Sequence, residues 1–402
     1  MTALERNGFP YKVVIAAMGV LGGAMGVIIN TNGILFAAVI RDMGFRAGDL
    51  SVYYTILYLV SALSVTFTSR WFFTARHRAV MAALGTLYTA PFAAMCLYSR
   101  LWHWYAAAAV SGLGYSCMLV SVTTTLNNWF AARRGMVAGV ALSASGVTGA
   151  LLAPVFARCI QAFGWRPTAL LIGALAFMLI VPAGAFWLIP DPSECGCRPW
   201  GEAPAAESEA PRTSLSVPGY VFVLCMIALA GTNALFQFNL QLPLFARSLG
   251  WSLAAGAALT SCSMIGNIAG KVVLGMAIDA LGVYRAAVLL AGAMASAFVL
   301  FQTFPGFFPA LCLGGVLFGG CYSVGSMLLP QLALAIWGRQ AYRPYVSRLS
   351  AVNSFVAAFS GSAFPYLYDF TGGWTAVLVL CFADCVAAGL IFVWLGRWAG
   401  KR

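Results

Sequence analysis

The sequence contains twelve apolar runs, each long enough to cross a lipid bilayer as an α-helix, which needs about 20 apolar residues. Charged residues make up 8% of the 402-residue chain, whereas about 25% are charged in a soluble globule. The sequence therefore predicts an all-α membrane protein. The predicted transmembrane helices are 13–40, 50–69, 79–98, 103–126, 135–157, 167–189, 218–246, 252–278, 286–304, 308–336, 346–368 and 374–395.

One long polar segment separates two groups of six predicted helices. Residues 190–217 are rich in Pro, Glu and Ser, a composition typical of a flexible linker. We therefore predict an N-terminal six-helix half at 1–189, a cytoplasmic linker at 190–217 and a C-terminal six-helix half at 218–402.

Landmark residues repeat between the two halves at a nearly constant spacing. The pairs are Arg78 and Arg285, Trp129 and Trp337, and Trp165 and Trp374, which are 207, 208 and 209 residues apart. Two six-helix halves in parallel repeat place a substrate path near the bilayer midplane, at the interface of the repeats.

The basic residues are distributed unevenly between alternate loops. If the N-terminus is cytoplasmic, 16 of the 23 Lys and Arg residues are cytoplasmic, six are outside, and Lys271 lies within a span. The positive-inside rule then places both termini in the cytoplasm. Because these residues are dispersed among apolar runs, the net charge of +12 does not indicate nucleic-acid binding.

Lys271 lies inside the eighth predicted helix, where a charged side chain requires a partner or a water-filled cavity. Snorkelling to the cytoplasmic surface is the alternative. Side chains lean towards the N-terminus of their helix, so this ammonium is aimed at the bilayer centre. Asn267 and Thr260 precede it by four and eleven residues on the same face. The pattern favours a lysine that holds an anion.

Neutral polar side chains on other helices are candidates to complete such a site. Asn233, Gln237 and Gln241 are spaced by four residues, which places them on one face of an α-helix. Hydrogen bonding between packed helices explains them equally well. The further candidates, open to the same alternative, are Asn30, Tyr115 and Tyr322.

Asp384 is an acid near the middle of the twelfth predicted helix, which makes it a candidate proton relay with no identified partner. A role in packing between helices is the alternative. Of the two histidines, His77 lies in a basic loop and His103 lies near the outer face of the membrane. We therefore predict no metal site and no cofactor. Without clustered His, Asp or Glu inside the bilayer, we also predict that the chain is not an enzyme.

Three segments carry a resemblance to a known family. They are NNWFAARRGMVAGVALSASGVTGALLAPVFARCIQAFGWR at 127–166, GKVVLGMAIDALGVYR at 270–285 and YLYDFTGGW at 366–374. They resemble the major facilitator superfamily, and within it the monocarboxylate transporters and the oxalate:formate antiporters. The resemblance implies a fold of two six-helix halves and a cytoplasmic gate of ion-paired residues. The residues at this rim are Asp279, Arg285, Arg339, Arg343 and Arg348.

The sequence departs from this family at three places. The first-half loop motif lacks its usual aspartate near Phe72, and Asn267 stands where proton-coupled members carry an acid. The eleventh helix offers Arg348 only at its cytoplasmic end, whereas the oxalate antiporter carries a second cation there. A monocarboxylate is therefore favoured over a dicarboxylate, and proton symport through helix 8 is not favoured.

Together these observations predict a monomeric secondary transporter in the inner membrane that moves a small organic anion, a monocarboxylate, by alternating access. Membrane lipid and a co-transported proton or counter-anion are the expected partners. The alternatives are an exporter of amphiphilic or drug-like compounds with the same fold, and a membrane receptor that does not transport. The sequence leaves open whether the chain is an antiporter or a symporter.

Overall fold

The computed structural model describes residues 9–72, 76–130, 134–201 and 217–400, without the side chains of residues 9, 66, 69, 134, 135, 339, 340 and 343. Within these ranges the chain is built of helices, and eleven of them are long and apolar enough to span a membrane. The prediction of an all-α membrane protein is confirmed. Most of the predicted linker, 202–216, and the side chain of the predicted gate residue Arg343 lie outside the described part.

The first six helices correspond to the first six apolar runs. Helix α1 consists of Phe9–Leu21, a π-helical segment Gly22–Ile29, and Asn32–Met43. The next five are α2 (Ala47–Phe72), α3 (His77–Ala94), α4 (Leu101–Trp129), α5 (Arg134–Phe163) and α6 (Trp165–Phe186).

The second six begin with α7, which consists of Gly219–Ala234, a 3-10 segment Leu235–Gln241, and Leu242–Ser248. Helices α8 (Leu253–Leu281) and α9 (Val283–Thr303) follow. Helix α10 consists of Phe308–Gly319, a π-helical segment Val324–Leu328, and the beginning of the long helix Leu329–Thr371. A non-helical backbone conformation at Gly338 separates α10 from α11, and α12 is Thr375–Ala399.

The predicted eleventh span, 346–368, is helical but is not among the eleven spans found in the described ranges. Arg348, Asn353 and several serines make this stretch more polar than a typical membrane helix. Polar side chains are unfavourable in contact with lipid, so the polar residues of this helix need partners inside the protein.

Prolines explain two of the three helix breaks. A proline has no amide proton, so Pro243 cannot donate to the carbonyl of Asn239, and Pro330 cannot donate to that of Ser326. The α-helical ladder is interrupted just before each proline, which gives the 3-10 segment of α7 and the π-helical segment of α10. The predicted span 218–246 corresponds to Gly219–Ser248, and residues 235–241 within it form a 3-10 helix instead of an α-helix.

The chain divides into two compact units. The first contains Met1–Asn32, Leu59–Leu152 and Arg158–Ser214, and the second contains Gly33–Tyr58, Ala153–Ala157 and Leu215–Arg402. Residues 33–58 and 153–157 thus lie within the second unit, although they precede the predicted linker in the chain.

Each unit has its own aromatic core. In the first unit, Trp104, Tyr88 and Phe92 are fully buried, and the Tyr88 hydroxyl donates a 2.7 Å hydrogen bond to the Ala24 carbonyl. In the second unit, Phe238 is fully buried and its ring centroid lies 5.7–6.4 Å from six other aromatic rings. These rings belong to Phe245, Phe298, Phe301, Phe318, Phe364 and Trp374.

The segment predicted to be a flexible linker begins with an ordered stretch inside the first unit. Residues Pro192–Cys195 form a short 3-10 helix that is capped by Asp191. The indole nitrogen of Trp129 donates a 2.7 Å hydrogen bond to the Ile189 carbonyl, and the Trp200 amide donates to the Trp129 carbonyl at the same distance. The end of α4 therefore holds residues 189–200 in place.

Candidate anion-binding site

Lys271 lies on α8, ten residues before the end of the helix at Leu281, or about 15 Å at 1.5 Å per residue. Its side chain is partly buried within the second unit. Among the residues that the structure describes, the ammonium has neither a hydrogen-bond partner nor an ion-pair partner. Its charge is therefore available to a ligand.

The face of α8 that carries Lys271 is lined by buried polar side chains. Asn267 is 2% exposed and its Oδ1 has no hydrogen-bond partner in the structure. Ser263, another four residues earlier, is fully buried and its Oγ has no partner either. Thr260 donates to the Gly256 carbonyl of its own helix, so it is already satisfied. The face of α8 that carries Lys271 therefore also carries buried polar groups without hydrogen-bond partners among the described residues.

Helix α10 approaches α8 beside Lys271. A Cβ atom added to Gly270 would lie 2.8 Å from the Cα of Gly320 and 3.3 Å from the Oγ of Ser323. The Ser323 hydroxyl is buried and has no hydrogen-bond partner in the structure. A second helix therefore brings an unpartnered hydroxyl to the turn of α8 that carries the lysine.

Ser263 and Ser323 were not identified from the sequence. Ser263 lies four residues before Asn267 and eight before Lys271, so the same spacing that selected Asn267 would have found it. No sequence pattern marks Ser323, because its position beside α8 depends on the close contact between Gly270 and Gly320.

Tyr322, which precedes Ser323, belongs to an aromatic group in the second unit. Its ring centroid lies 5.6 Å from that of Phe236 on α7, which lies 6.5 Å from that of Tyr58 on α2. Such rings provide an apolar surface, and the two tyrosines add hydroxyl groups.

The three predicted residues of α7 do not share one α-helical face, because Leu235–Gln241 is a 3-10 helix with three residues per turn. The Gln237 side chain is fully buried, and its Nε2 donates a 2.8 Å hydrogen bond to the Ala357 carbonyl of α11, whereas its Oε1 has no partner. Asn233 lies against Gly325 of α10. Gln241 is buried too. For Gln237, the structure thus contains the interhelical bond that was the alternative to substrate contact.

Asn30 and Tyr115 lie in the first unit. Asn30 is buried, and its Nδ2 donates a 3.0 Å hydrogen bond to the Ser145 carbonyl of α5. Tyr115 on α4 has its ring centroid 5.4 Å from that of Tyr88. Whether either residue contacts a substrate stays a prediction.

Asn30 and Gln237 are 207 residues apart, the same spacing as the first landmark pair. Each bonds the backbone of a later helix in its own unit, Asn30 to α5 and Gln237 to α11. Asn32 and Asn239 are also 207 residues apart, and both are buried with side-chain atoms that lack partners. The internal repeat thus extends to the hydrogen bonds at the helix breaks.

The predicted gate residues make few contacts within the described part of the chain. Asp279 in the last turn of α8 and Arg285 in the first turn of α9 are both exposed, and neither has an ion-pair partner among the described residues. The guanidinium of Arg348 lies 5.9 Å from the ring centroid of Tyr345. The gate stays a prediction from the resemblance.

Asp384 lies on α12, nine residues after its first residue. Its carboxylate packs against the backbone of Gly231 on α7, and its Oδ2 is buried without a hydrogen-bond partner. Within the described residues, no group of three or more His, Cys, Asp or Glu could hold a metal ion.

A groove of about 450 Å³ lies elsewhere, between α3 and α4 of the first unit. Its walls are apolar and small side chains such as Leu87, Ala90 and Ala106, with Tyr98 and His103 at one end. The lining contains no Lys or Arg, so the groove lacks the charge that would attract an anion.

Membrane-spanning helices interrupted by short 3-10 and π-helical segments, with buried polar groups along them, are typical of membrane transporters. Residues 14–260 match the model of the Major Facilitator Superfamily. The chain therefore belongs to this superfamily.

The sequence is similar to several proteins named monocarboxylate transporters. It is 27% identical to human monocarboxylate transporter 11 over 187 residues, which cover 45% of this chain and 38% of that protein. It is also 27% identical to monocarboxylate transporter 13 of Bos taurus over 327 residues, or 79% of this chain and 71% of that protein. Both identities are low, so the shared superfamily does not identify the substrate.

Solved structures share the fold. The nucleoside transporter NupG superposes with a TM-score of 0.71 at 12% identity and covers 96% of this chain and 98% of its own. A bacterial homolog of the human lysosomal transporter Spinster gives a TM-score of 0.60 at 11% identity, covering 99% of this chain and 97% of its own. At these identities, the likeness supports the fold alone.

Proposed function

We propose that this transporter moves a small organic anion, a monocarboxylate, and that Lys271 binds its carboxylate group. The observation that carries the proposal is an ammonium inside a membrane-spanning helix with no partner among the described residues. A charge in such a position is unfavourable until an opposite charge arrives. A carboxylate supplies that charge and forms a short, charge-assisted hydrogen bond.

Asn267, Ser263 and Ser323 hydrogen-bond the same substrate. Each has a buried polar atom without a partner, and a buried polar atom of this kind gains free energy when a ligand or a water molecule pairs with it. The second carboxylate oxygen and a hydroxyl or keto group of the substrate can use such partners. A site with one cation and neutral neighbours suits a substrate with one carboxylate better than a substrate with two carboxylates.

The relatives' names support a monocarboxylate, and the distribution of basic residues supports an inner-membrane protein with both termini in the cytoplasm. Transport follows alternating access, the mechanism of superfamily members with two repeated halves. In this proposal, Asp279 and the basic residues Arg285, Arg343 and Arg348 close the cytoplasmic end.

Uptake of labelled lactate, pyruvate, formate and oxalate into proteoliposomes tests the proposal. We expect uptake of at least one monocarboxylate by the wild type, loss of uptake in Lys271→Met, and partial retention in Lys271→Arg. Lys12→Met is the matched control, because Lys12 is an exposed lysine near the beginning of α1 and the substitution removes the same charge. Undiminished uptake in Lys271→Met contradicts the role of the lysine.

Two other results would indicate a different function. Thermal stabilisation by a monocarboxylate without any flux indicates a receptor that does not transport. Flux of uncharged amphiphilic compounds in place of anions, insensitive to Lys271→Met, indicates an exporter of drug-like molecules.

A further inference from the structure

Asp384 is the acidic group that the proposed anion site does not use. It lies on α12, nine residues after Thr375 and fifteen before Ala399, so it is far from both ends of a membrane-spanning helix. The Oδ2 atom of its carboxylate is buried and accepts no hydrogen bond within the described structure. An ionised carboxylate without a partner is unfavourable in apolar surroundings, and a bound proton removes its charge.

The carboxylate occupies a position made for it by a glycine. A Cβ atom added to Gly231 on α7 would overlap Oδ1 of Asp384. Any larger residue at 231 would therefore push the carboxylate away. The two helices meet at this contact, and the carboxylate of Asp384 lies directly against the backbone of α7.

The contact lies just before the break in α7. Gly231 precedes the end of the α-helical part at Ala234 by three residues, and the 3-10 segment begins at Leu235. Asn233 and Gln237, which flank this junction, contact α10 and α11 respectively. Just beyond Gly231, α7 is therefore linked to α10, the helix that carries Ser323 of the proposed anion site.

Among the described residues, the groups that face Asp384 offer no counter-charge. Its titratable neighbours on α12 are the thiols of Cys381 and Cys385, and Cys321 of α10 lies beside Cys385. The other titratable or charged groups of the described helices packed against α12 belong to α7, α9, α10 and α11. They are Tyr220, Cys225 and Arg247 on α7, Tyr284 and Arg285 on α9, Cys312 and Tyr322 on α10, and Tyr342, Tyr345, Arg348, Tyr366, Tyr368 and Asp369 on α11.

The packing of α9 against α12 shows how far Arg285 lies from Asp384. Gly396 of α12 lies against Tyr284, and Gly389 lies against Ala291, so the two helices run antiparallel. Continuing this pairing places Asp384 level with Ser296, eleven residues beyond Arg285 or about 16 Å along the helix. Arg285 therefore does not neutralise Asp384.

We propose that Asp384 is the proton-binding site that couples transport to a proton gradient, acting through its contact with Gly231. With the proton bound, the neutral carboxyl group rests against α7. When the proton leaves, the carboxylate requires water, and α7 and α12 separate at Gly231 until water reaches it. The inference rests on the proposed anion transport and adds the coupling ion, at a site separate from Lys271.

Two assays on the same proteoliposomes test this coupling. Exchange of labelled lactate for internal unlabelled lactate needs no net proton movement, whereas accumulation driven by a pH gradient does. For Asp384→Asn we expect exchange at the wild-type level and loss of gradient-driven accumulation, and for Asp384→Glu we expect accumulation to be partly retained. Asp42→Asn, which neutralises an exposed acid at the end of α1, should behave as the wild type. Wild-type accumulation in Asp384→Asn overturns the inference.

A second variant and a second measurement test the inference if Asp384→Asn does not fold or if transport is lost for another reason. Gly231→Ala should impair accumulation by displacing the carboxylate, even if Asp384→Asn does not fold. Infrared spectra of the purified protein provide a readout that is independent of transport: we expect a protonated-carboxyl band that titrates with pH and is missing in Asp384→Asn. Absence of that band from the wild type overturns the inference. Its presence in a protein that carries no anion overturns the proposed function and leaves the proton site standing.

Discussion

The hydroxyl oxygens of Thr55 on α2 and Ser362 on α11 lie 2.7 Å apart, although the residues are 307 positions apart in the chain. Thr55 also donates a 2.9 Å hydrogen bond to the Ala358 carbonyl. Nearer the beginning of α2, the Gly48 amide donates a 2.6 Å hydrogen bond to the Asp369 carboxylate. Because a helix N-terminus favours a negative charge, Asp369 stabilises the beginning of α2.

All of these residues belong to the second compact unit, which includes 33–58. In the predicted topology they lie towards the outer surface, where a transporter that works by alternating access must open and close. We therefore expect the contact between Thr55 and Ser362 to break once in each transport cycle.

A disulfide at this position tests that expectation. Hydroxyl oxygens in hydrogen-bond contact place their Cβ atoms near the separation of roughly 3.5–4.5 Å that a disulfide needs. In the double variant Thr55→Cys/Ser362→Cys, we expect oxidation to abolish uptake and a reductant to restore it. The single variants are the controls, since they report any reaction of the native cysteines. A complete cross-link with unchanged uptake would show that the contact stays closed throughout transport.

The repeat is visible in the sequence because repeated residues keep their spacing whatever contacts they make. Gly33 and Leu240 are 207 residues apart, as Arg78 and Arg285 are. A Cβ atom added to Gly33 would overlap the Leu240 carbonyl, so equivalent positions of the two repeats meet. The spacing is readable from the sequence, whereas the contact depends on how α1 and α7 cross.

The shared helical face of Lys271 and Asn267 is predictable from the sequence for a similar reason. A charge inside an apolar run is visible in the sequence, and residues four apart share a helical face. The sequence does not predict the 3-10 segment of α7, because a proline near the end of an apolar run is compatible with a continuous helix. The position of Ser323 depends on packing between two helices, which the spacing of residues within one helix does not encode.

The equivalent bonds of Asn30 and Gln237 lead to a paired prediction. Replacing either side chain with an apolar one of similar size, as in Asn30→Leu and Gln237→Met, leaves the Ser145 or Ala357 carbonyl without its donor. Interhelical hydrogen bonds of this kind contribute roughly 0.5–2 kcal/mol, so both variants should unfold at lower temperature than the wild type.

Thermal unfolding in detergent measures this loss, and transport kinetics separate packing from binding. If Gln237 acts only in packing, KM for the transported anion stays at the wild-type value in Gln237→Met. A raised KM would show that its unpartnered Oε1 also contacts the substrate. Unchanged stability in both variants would contradict the structural role of the repeated bond.

The ordered beginning of the predicted linker gives a prediction with a defined pH dependence. Asp191 accepts hydrogen bonds from the amide and the hydroxyl of Ser193, at 2.8 and 2.6 Å, and caps the short helix Pro192–Cys195. These bonds lower the pKa of Asp191 below its usual value. The ionised carboxylate therefore stabilises this segment above the pKa of the unfolded chain, about 3.9, and that contribution disappears as pH falls through the lowered pKa.

Hydrogen–deuterium exchange over residues 188–201 checks the cap at neutral pH. Loss of such a cap costs roughly 0.5–1 kcal/mol, so amide exchange in Asp191→Ala should be about two- to fivefold faster than in the wild type. Asp191→Asn keeps an acceptor and should fall between them. Lowering the pH towards the pKa of Asp191 should speed exchange in the wild type, after correction for the intrinsic pH dependence, and leave Asp191→Ala unaffected. Equal protection in wild type and Asp191→Ala would show that Trp129 alone holds the segment to α4.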